Sequence, residues 1–340
     1  MQRLTCRRDD RGAAAVWFAL LLVPIMIVAA LAIDVGAANA DRQRLQVGAD
    51  AAALAVAQDC ARDECDAVTT DASADQLATA NAPFGGAAAA EIVELDAAAG
   101  RVEVRTSSAR NHWFAPVVGI DDVSLEARSA ARWGYPTGGT AVMPLAFSWC
   151  ELVGQSGVVV QRDPITNEVT GLDIPADMAP VTIYATKLGA TDCFGPSNLA
   201  APGGFGWLRP SDGCSATLTS VDAWQLSSAG NSPSTGCSPA DFQSWVGRTT
   251  LLPVFDQSRA NGSRSEYEIF GYIAFQLQDY YFSGSYTSPD GTNPCSGDNR
   301  CVVGTFERFV DLDAAFEFSP DGPAMGAAMV ALQLPEGSAP

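Results

Sequence analysis

Residues 13–33 form an unbroken run of 21 uncharged residues close to the amino terminus. A helix of that length, at 1.5 Å per residue, measures about 32 Å, which matches the hydrocarbon core of a bilayer. Eleven of these residues are Leu, Ile, Val or Phe, and each favours insertion by about 0.3 to 0.6 kcal/mol. The run therefore predicts a transmembrane helix with the anchor residues Ala13, Trp17, Leu21, Pro24 and Ile33, in which Pro24 is tolerated as a kink.

The charges that flank this run predict its orientation. Four arginines precede it, namely Arg3, Arg7, Arg8 and Arg11. Positive residues next to a span stay on the cytoplasmic side. We therefore expect residues 1–12 in the cytoplasm and everything after Asp34 outside, as in a single-pass protein of the cell membrane.

A cleaved secretory signal is the alternative interpretation of the same segment. Ala38-Asn39-Ala40 has the small-x-small pattern of a cleavage site, and basic residues lead the segment. The apolar core of a signal, however, usually runs about 7 to 15 residues. The longer run here favours an uncut anchor, and either interpretation exports the remainder of the chain.

The charge balance excludes one class of partner. Lysine and arginine number 20 against 39 acidic residues, giving a net charge of -19. Nucleic-acid binding depends on basic side chains that displace counterions from phosphates. We therefore expect no nucleic-acid partner, and the acidity suits solubility outside the cell.

Cysteine usage agrees with export. Of nine cysteines only Cys6 precedes the span, and the other eight form an even set beyond it, as expected in an oxidising compartment. Proximity along the chain favours four disulfides, although spacing does not fix connectivity: Cys60 with Cys65, Cys150 with Cys193, Cys214 with Cys237, and Cys295 with Cys301. A zinc site is disfavoured because the chain has no C-x-x-C step and His112 is its sole histidine, and we expect neither metal nor cofactor.

The residues from Val35 to Cys60 predict that the helix continues beyond the span. The segment lacks proline, is rich in alanine, and places Leu45, Ala49, Ala52 and Val56 on one face. Such a small-residue face allows close packing. It can pack on its own domain, which we favour, or on a second copy of the chain in a homo-oligomer.

The pattern changes to short strands after this helix. Glu91 to Leu95 and Arg101 to Thr106 predict a hairpin around a turn that ends at Gly100, and the alternation of residues 123–127 predicts a third strand. Further β-prone runs lie between Gly, Pro and Ser segments: 157–161, 181–186, 249–255, 267–278 and 301–312. The predicted class is α+β, with residues 34–135 forming a helix with a small antiparallel sheet, 136–318 a β-rich extracytoplasmic domain, and 319–340 a carboxyl-terminal tail.

The sequence offers only weak candidates for catalytic residues. Ser156 lies in Gly154-Gln155-Ser156-Gly157-Val158, but a nucleophile elbow needs glycine where Val158 stands. A single histidine beside Trp113 and Phe114, as at His112, is more often structural or exposed than a general base. We therefore predict no enzymatic activity.

Candidate ligand sites are equally weak. Asp256-Gln257-Ser258 resembles the start of a metal-dependent adhesion motif, but Ala260 stands in place of the next serine. Oxygen-rich residues 290–299 lack calcium-loop spacing and favour a solvated turn. Three tryptophans could form a sugar or peptide platform, although core packing is the commoner use of such rings: Trp207, Trp224 and Trp245.

Five segments of the amino-terminal part of the chain carry a family resemblance: Arg11 to Pro24, Asp34-Val35-Gly36, Arg42 to Gln46, Ala49 to Ala55, and Phe114 to Trp133. The first four resemble the amino terminus of TadG-like proteins from tight-adherence (Flp) pilus systems. The fifth resembles the closing segment of the same small domain in TadE/TadG-like proteins. The carboxyl half resembles longer actinobacterial relatives in residues 203–208, 230–232, 252–256 and 271–275. Pilin-like relatives are cut after a glycine followed five residues later by glutamate, whereas Gly12 is followed at that distance by Trp17.

The resemblance implies a membrane-anchored component of Flp pilus assembly or envelope attachment, not a polymerising pilin. Its partners would be other pilus-assembly proteins or pilin subunits. A secreted or surface adhesin, or a hydrolase, is the alternative function.

Overall fold

The computed structural model describes residues 11–62, 64–82, 87–175, 178–185, 193–199, 204–218, 220–228, 232–261, 264–289, 294–308, 310 and 316–335. Within these ranges the protein consists of one long apolar helix followed by β-rich sheets, with four cysteine pairs at disulfide distance. The predicted α+β class is therefore confirmed.

Helix α1 runs without interruption over 50 residues, Arg11–Cys60. It contains both the predicted span and the predicted extension beyond it, and Pro24 lies inside it. Helix α2, Ala67–Ala80, packs beside α1 and begins at Asp66, whose carboxylate accepts the backbone N–H of Thr69. This cap satisfies one of the N–H groups that a helix start leaves unpaired.

The first sheet lies against the carboxyl-terminal half of α1, and we call it the helix-backed sheet. The hairpin predicted from the sequence is present as β1, Ala88–Asp96, and β2, Arg101–Asn111. In its turn the carboxylate of Asp96 accepts the N–H of Ala99, and Gly100 adopts a positive φ of 61°, which glycine tolerates best. The third predicted strand is β3, Asp122–Ala141, which pairs antiparallel with β2.

Three further strands complete this sheet, and all of them pair antiparallel with β3. They are β9 (Ala216–Leu218), β15 (Phe316–Ser319) and β16 (Met329–Gln333). Strand β3 is 20 residues long and runs through the predicted boundary at residues 135 and 136. Residues of the predicted tail therefore pair with the sheet that packs on α1.

The second sheet, which we call the outer sheet, consists of eight strands: β4 (Leu145–Ser148), β7 (Val181–Tyr184), β8 (Phe205–Trp207), β10 (Trp224–Leu226), β11 (Thr249–Asn261), β12 (Arg264–Ser283), β13 (Tyr286–Thr287) and β14 (Cys301–Glu307). Their order is β7-β14-β12-β11-β4-β8, and β10 and β13 also pair with β12. Strands β4 and β11 run parallel, whereas the other pairs are antiparallel.

The remaining helices and strands are short. Helix α3, Trp149–Ser156, follows β4, and helix α4, Pro239–Trp245, starts with a capping box between Ser238 and Asp241. Strands β5, Val159–Arg162, and β6, Val169–Asp173, form a separate antiparallel hairpin. The 3₁₀ helix η1, Ala115–Val118, lies between β2 and β3.

Three buried clusters hold these layers together. The smallest side chains, chiefly alanines, lie between α1 and the helix-backed sheet. A second cluster joins the two sheets through residues such as Tyr272, Phe316 and Met329. The third, which is rich in aromatic rings, fills the far side of the outer sheet around Phe242, and the outer sheet is thus covered on both faces.

Both faces of β12 are covered, but its side chains do not alternate regularly between them, because Ile269 and Ile273 would share one face of a regular strand. Ile269 shares the inter-sheet cluster with Tyr272 and Ala274, whereas Ile273 lies in the aromatic cluster. The reason is a bulge at Phe270, where β12 has one residue more than β11 opposite it. An inserted residue exchanges the two faces of a strand from that point on.

Candidate functional site

The candidate site is the place where the apolar part of α1 meets the helix-backed sheet, and we call it the junction. It consists of Asp34 and Asp41 on α1, together with Arg110, Trp113 and Ala115 at the end of β2 and in the following loop.

The first half of α1 presents apolar side chains to its surroundings on every side. From Val16 to Ile33 nearly all large residues are exposed, including Trp17, Leu21 and Ile33 of the predicted anchor. Within the described residues, the helix Ala15–Cys60 alone is long and apolar enough to cross a membrane. A helix that is apolar all round is stable only where apolar material surrounds it.

The structure describes only some of the other residues that were predicted to anchor and orient the chain. Arg11, Ala13 and Pro24 all belong to α1. Arg3, Arg7 and Arg8 lie outside the described residues. The orientation that these arginines favour therefore stays a prediction.

From Ala15 onward, Asp34 is the first residue of α1 whose side chain is buried, with 2% of its surface exposed. Its Oδ1 accepts the backbone N–H of Trp113 at 3.0 Å, and its Oδ2 accepts those of Phe114 and Ala115 at 3.0 and 2.8 Å. Burial opposes its ionisation, but these three N–H groups and nearby His112 lower its pKa overall. The Asp34 carboxylate thus fixes the start of η1 to the helix.

Asp41 makes the second polar contact, two helical turns further along the same face. It pairs with Arg110, and both side chains are largely buried. The guanidinium carbon of Arg110 also lies 5.4 Å from the centre of the Trp113 ring, within the range of a cation–π contact. Asp41 therefore holds the end of β2 and the start of the loop through a single arginine.

Above these two carboxylates the contact between helix and sheet becomes apolar. Leu45, Ala49, Ala52 and Val56 are all buried at 1% exposure or less, so the face predicted from their spacing packs on the chain's own sheet. The hydroxyl of Thr106 donates to the carbonyl oxygen of Leu45 at 2.9 Å. Of the two interpretations of this face, the domain-internal one is the arrangement found.

The eight cysteines that follow the apolar segment come together in the four pairs predicted from the sequence. Their Cα atoms are separated by 4.2 Å for Cys60 and Cys65, 5.9 Å for Cys150 and Cys193, 4.4 Å for Cys214 and Cys237, and 6.2 Å for Cys295 and Cys301. The first pair stands at the carboxyl end of α1, and the other three belong to the outer sheet and its loops. All four separations lie close to the range of disulfide geometry.

The two candidate catalytic residues both make hydrogen bonds within the fold. Ser156 is the last residue of α3, is buried, and its Oγ accepts the backbone N–H of Val158 at 3.2 Å. His112 begins the loop of the junction, and its backbone N–H donates to the carbonyl of Asp121 at 2.9 Å. Both residues thus take part in turns.

The candidate ligand residues are likewise part of the fold. Asp256 sits at an irregularity of β11, where its carboxylate accepts the N–H of Ser197 at 2.8 Å. Within the described residues no group of three or more His, Cys, Asp or Glu is arranged to hold a metal ion. Residues 290–293 of the candidate calcium loop lie outside the described residues.

The three tryptophans proposed for a platform do not share a surface. Trp207 and Trp245 belong to the aromatic cluster and both pack edge-on against Phe242. Trp224 lies on β10, where the guanidinium of Arg259 stacks 4.1 Å from its ring centre. Two of the three rings are core residues.

Sequence reasoning missed the two carboxylates of the junction. Their signal was present, because Asp34 and Asp41 are seven residues apart and continue the face that holds Leu45, Ala49 and Ala52. An acidic residue on the inward face of a helix needs a partner when it is buried. That partner comes from a loop about 80 residues later, which periodicity does not indicate.

Comparison with known families identifies the segment that forms the helical part of this site. Residues 12–59 match the model of the Tad family, described as Flp pilus-assembly TadE/G-like. No curated protein and no solved structure matches the chain significantly. The matched range coincides with α1, from the start of its apolar half to the residue before Cys60. This chain therefore carries an amino-terminal TadE/G-like segment of the Flp pilus-assembly type.

Proposed function

We propose that this protein is a membrane-anchored, extracytoplasmic component of Flp pilus assembly or envelope attachment that works through protein–protein contacts and not as an enzyme. The observation that carries the proposal is the division of α1. Its TadE/G-like residues form one helix that is apolar and exposed before Asp34 and packs on a folded β-rich body after it. Such a helix suits a rigid link between a bilayer and a surface domain.

The contacts of the junction support an anchor that stays uncut. Cleavage after Ala40 would remove Asp34, and the N–H groups of Trp113, Phe114 and Ala115 would lose their acceptor. A hydrogen bond to a charged acceptor contributes about 1.5 to 3 kcal/mol to stability. Cleavage there would therefore weaken the fold, whereas a signal peptide is normally dispensable to the mature domain.

The outer side of α1 is the surface on which we expect a partner. Val47 is exposed and lines a shallow groove with Arg44 and with residues 80–82 at the end of α2. This side is directed away from the helix-backed sheet, which occupies the Leu45 face. A pilin subunit, another assembly protein or a second copy of the chain would contact α1 here.

Labelling of Cys6 tests the membrane orientation, because Cys6 is the one cysteine that precedes the span. A membrane-impermeant maleimide should leave Cys6 unlabelled in intact cells and should label it after lysis. Ile165→Cys, placed at an exposed position of the β5–β6 turn, should be labelled in intact cells. Labelling of Cys6 in intact cells, or recovery of a chain that begins near Asp41, would refute an uncut anchor with its amino terminus in the cytoplasm.

Site-specific photo-crosslinking tests the partner class. A photoreactive residue at Val47 should give adducts with pilus-assembly proteins or pilin subunits in cells that express the pilus system. Val159 is an equally exposed control, since both valines have 55% of their surface accessible. Equal adducts at both positions, or adducts that persist without the pilus system, would contradict a pilus partner on α1.

A further inference from the structure

The loop between β2 and β3, residues 112–121, carries a concentration of exposed apolar side chains. Trp113, Phe114, Val117 and Ile120 are all exposed, and 90% of the Val117 side chain is accessible. Exposed apolar groups clustered in this way mark a contact surface with a partner or a membrane. We call these four residues the apolar tip.

The position of the apolar tip indicates what that contact is. Phe114 and Val117 share an apolar concavity with one side of α1, from Leu22 to Ile33. Those helical residues belong to the segment predicted to span the bilayer. The tip therefore continues the apolar surface of the span sideways, at the level where α1 becomes part of the folded body.

The backbone N–H groups of the loop are paired in the way that an apolar environment requires. The N–H groups of residues 113, 114 and 115 bond to Asp34, and Pro116 has no N–H. The N–H groups of residues 117, 119 and 120 bond to carbonyls within the loop. A segment that enters lipid must pair its backbone polar groups internally, and this loop meets that condition at six of its donors.

The charges around the loop limit its depth and the type of lipid contact. Arg110 stacks on Trp113, and Asp121 and Asp122 are exposed where the loop ends. Acidic residues are not attracted to anionic head groups, so the apolar side chains would supply the attraction between the loop and the bilayer. Tryptophan favours the interfacial level of a bilayer, and interfacial segments enter it by about 5 to 10 Å.

We propose that the apolar tip is a second membrane-contact site, inserted in the interface of the leaflet from which α1 emerges. The inference rests on the membrane anchoring of the proposed function. A helix alone leaves the attached body free to rotate and tilt. A second contact, held to α1 through Asp34 and the Asp41–Arg110 pair, would fix the orientation of the β-rich body relative to the bilayer.

Depth-dependent fluorescence quenching tests this proposal in the full chain. In a Cys6→Ser background, Val117→Cys is labelled with an environment-sensitive dye, and the protein is reconstituted in phosphatidylcholine vesicles with or without nitroxide-labelled lipids. Ile165→Cys is the matched control, because 91% of Ile165 is accessible against 90% of Val117. Val28→Cys, within the span, reports whether the anchor itself is inserted.

The expected result is blue-shifted emission and several-fold stronger quenching at position 117 than at position 165, with strong quenching at position 28. Quenching at 28 but not at 117 overturns the second contact and leaves the anchor intact. Absence of quenching at both positions overturns the anchor and with it the proposed function. Photo-crosslinking from position 117 to another protein in cells, without lipid quenching, would assign the tip to a protein partner and also overturn the proposal.

Discussion

The packing of α1 on its own sheet makes a quantitative prediction at Leu45. Leu45 has 1% of its surface exposed, whereas Val47, two residues away on the same helix, has 55%. Leu45→Ala removes three carbon atoms from a filled space. At about 0.8 kcal/mol per buried methylene, the transfer loss alone is about 2.4 kcal/mol, and the remaining cavity raises the expected cost to about 2 to 5 kcal/mol.

Val47→Ala is the matched control. It removes a side chain that contributes little buried area, and alanine is the better helix former. Its expected effect is within about 0.5 kcal/mol of zero. The two substitutions thus separate the loss of packing from any general effect of an alanine at this end of the helix.

Chemical denaturation of the full-length protein in detergent micelles, with disulfides intact, provides the assay. Far-ultraviolet circular dichroism should show a lower unfolding midpoint for Leu45→Ala at an unchanged denaturant slope, since a change of midpoint alone reports stability. The midpoint should not depend on protein concentration. Equal midpoints for the two variants, or a concentration-dependent loss for Leu45→Ala, would refute the domain-internal packing and assign this face to an oligomer contact.

Three further predictions follow from single features of the fold. Asp34→Asn should destabilise the protein at neutral pH. Because the native pKa of Asp34 lies below its ordinary value of 3.8, the difference in unfolding free energy between wild type and variant should be full above pH 3.8 and should fade at lower pH. A difference that does not change between pH 7 and 2 would contradict this role of the charge. The paired change Cys150→Ser and Cys193→Ser opens a link between residues 43 positions apart, which should cost about 4 kcal/mol in denaturation experiments; peptide mapping without reduction that finds other pairings would refute the assignment. Gly134→Ala should lower the melting temperature, because its new Cβ would clash with the backbone carbonyl of Ser319. Gly36→Ala meets no atom within 4 Å and should stabilise the helix by up to about 1 kcal/mol; equal effects of the two would contradict the close approach of β15 to β3.

The sequence predicted the elements that depend on near neighbours. The uncharged length of residues 13–33 and the spacing of Leu45, Ala49 and Ala52 are local patterns, and each corresponds to a part of α1. The first hairpin was predictable because a turn residue tolerant of positive φ, Gly100, separates two β-prone runs. Proximity likewise favoured three of the cysteine pairs, since near neighbours meet at a small entropic cost of loop closure, and Cys150 with Cys193 was the pair that remained.

Tertiary structure alone decided the features that join distant parts of the chain. Strands β15 and β16 pair with β3 across about 180 to 200 residues, so the end of the chain belongs to the sheet that packs on α1. The bulge at Phe270 reversed an alternation that the sequence displays plainly. Asp34 acquires its three N–H partners only when the loop after β2 folds back on the helix. Periodicity describes which side of an element is buried, whereas the identity of what covers that side depends on contacts between residues far apart in sequence.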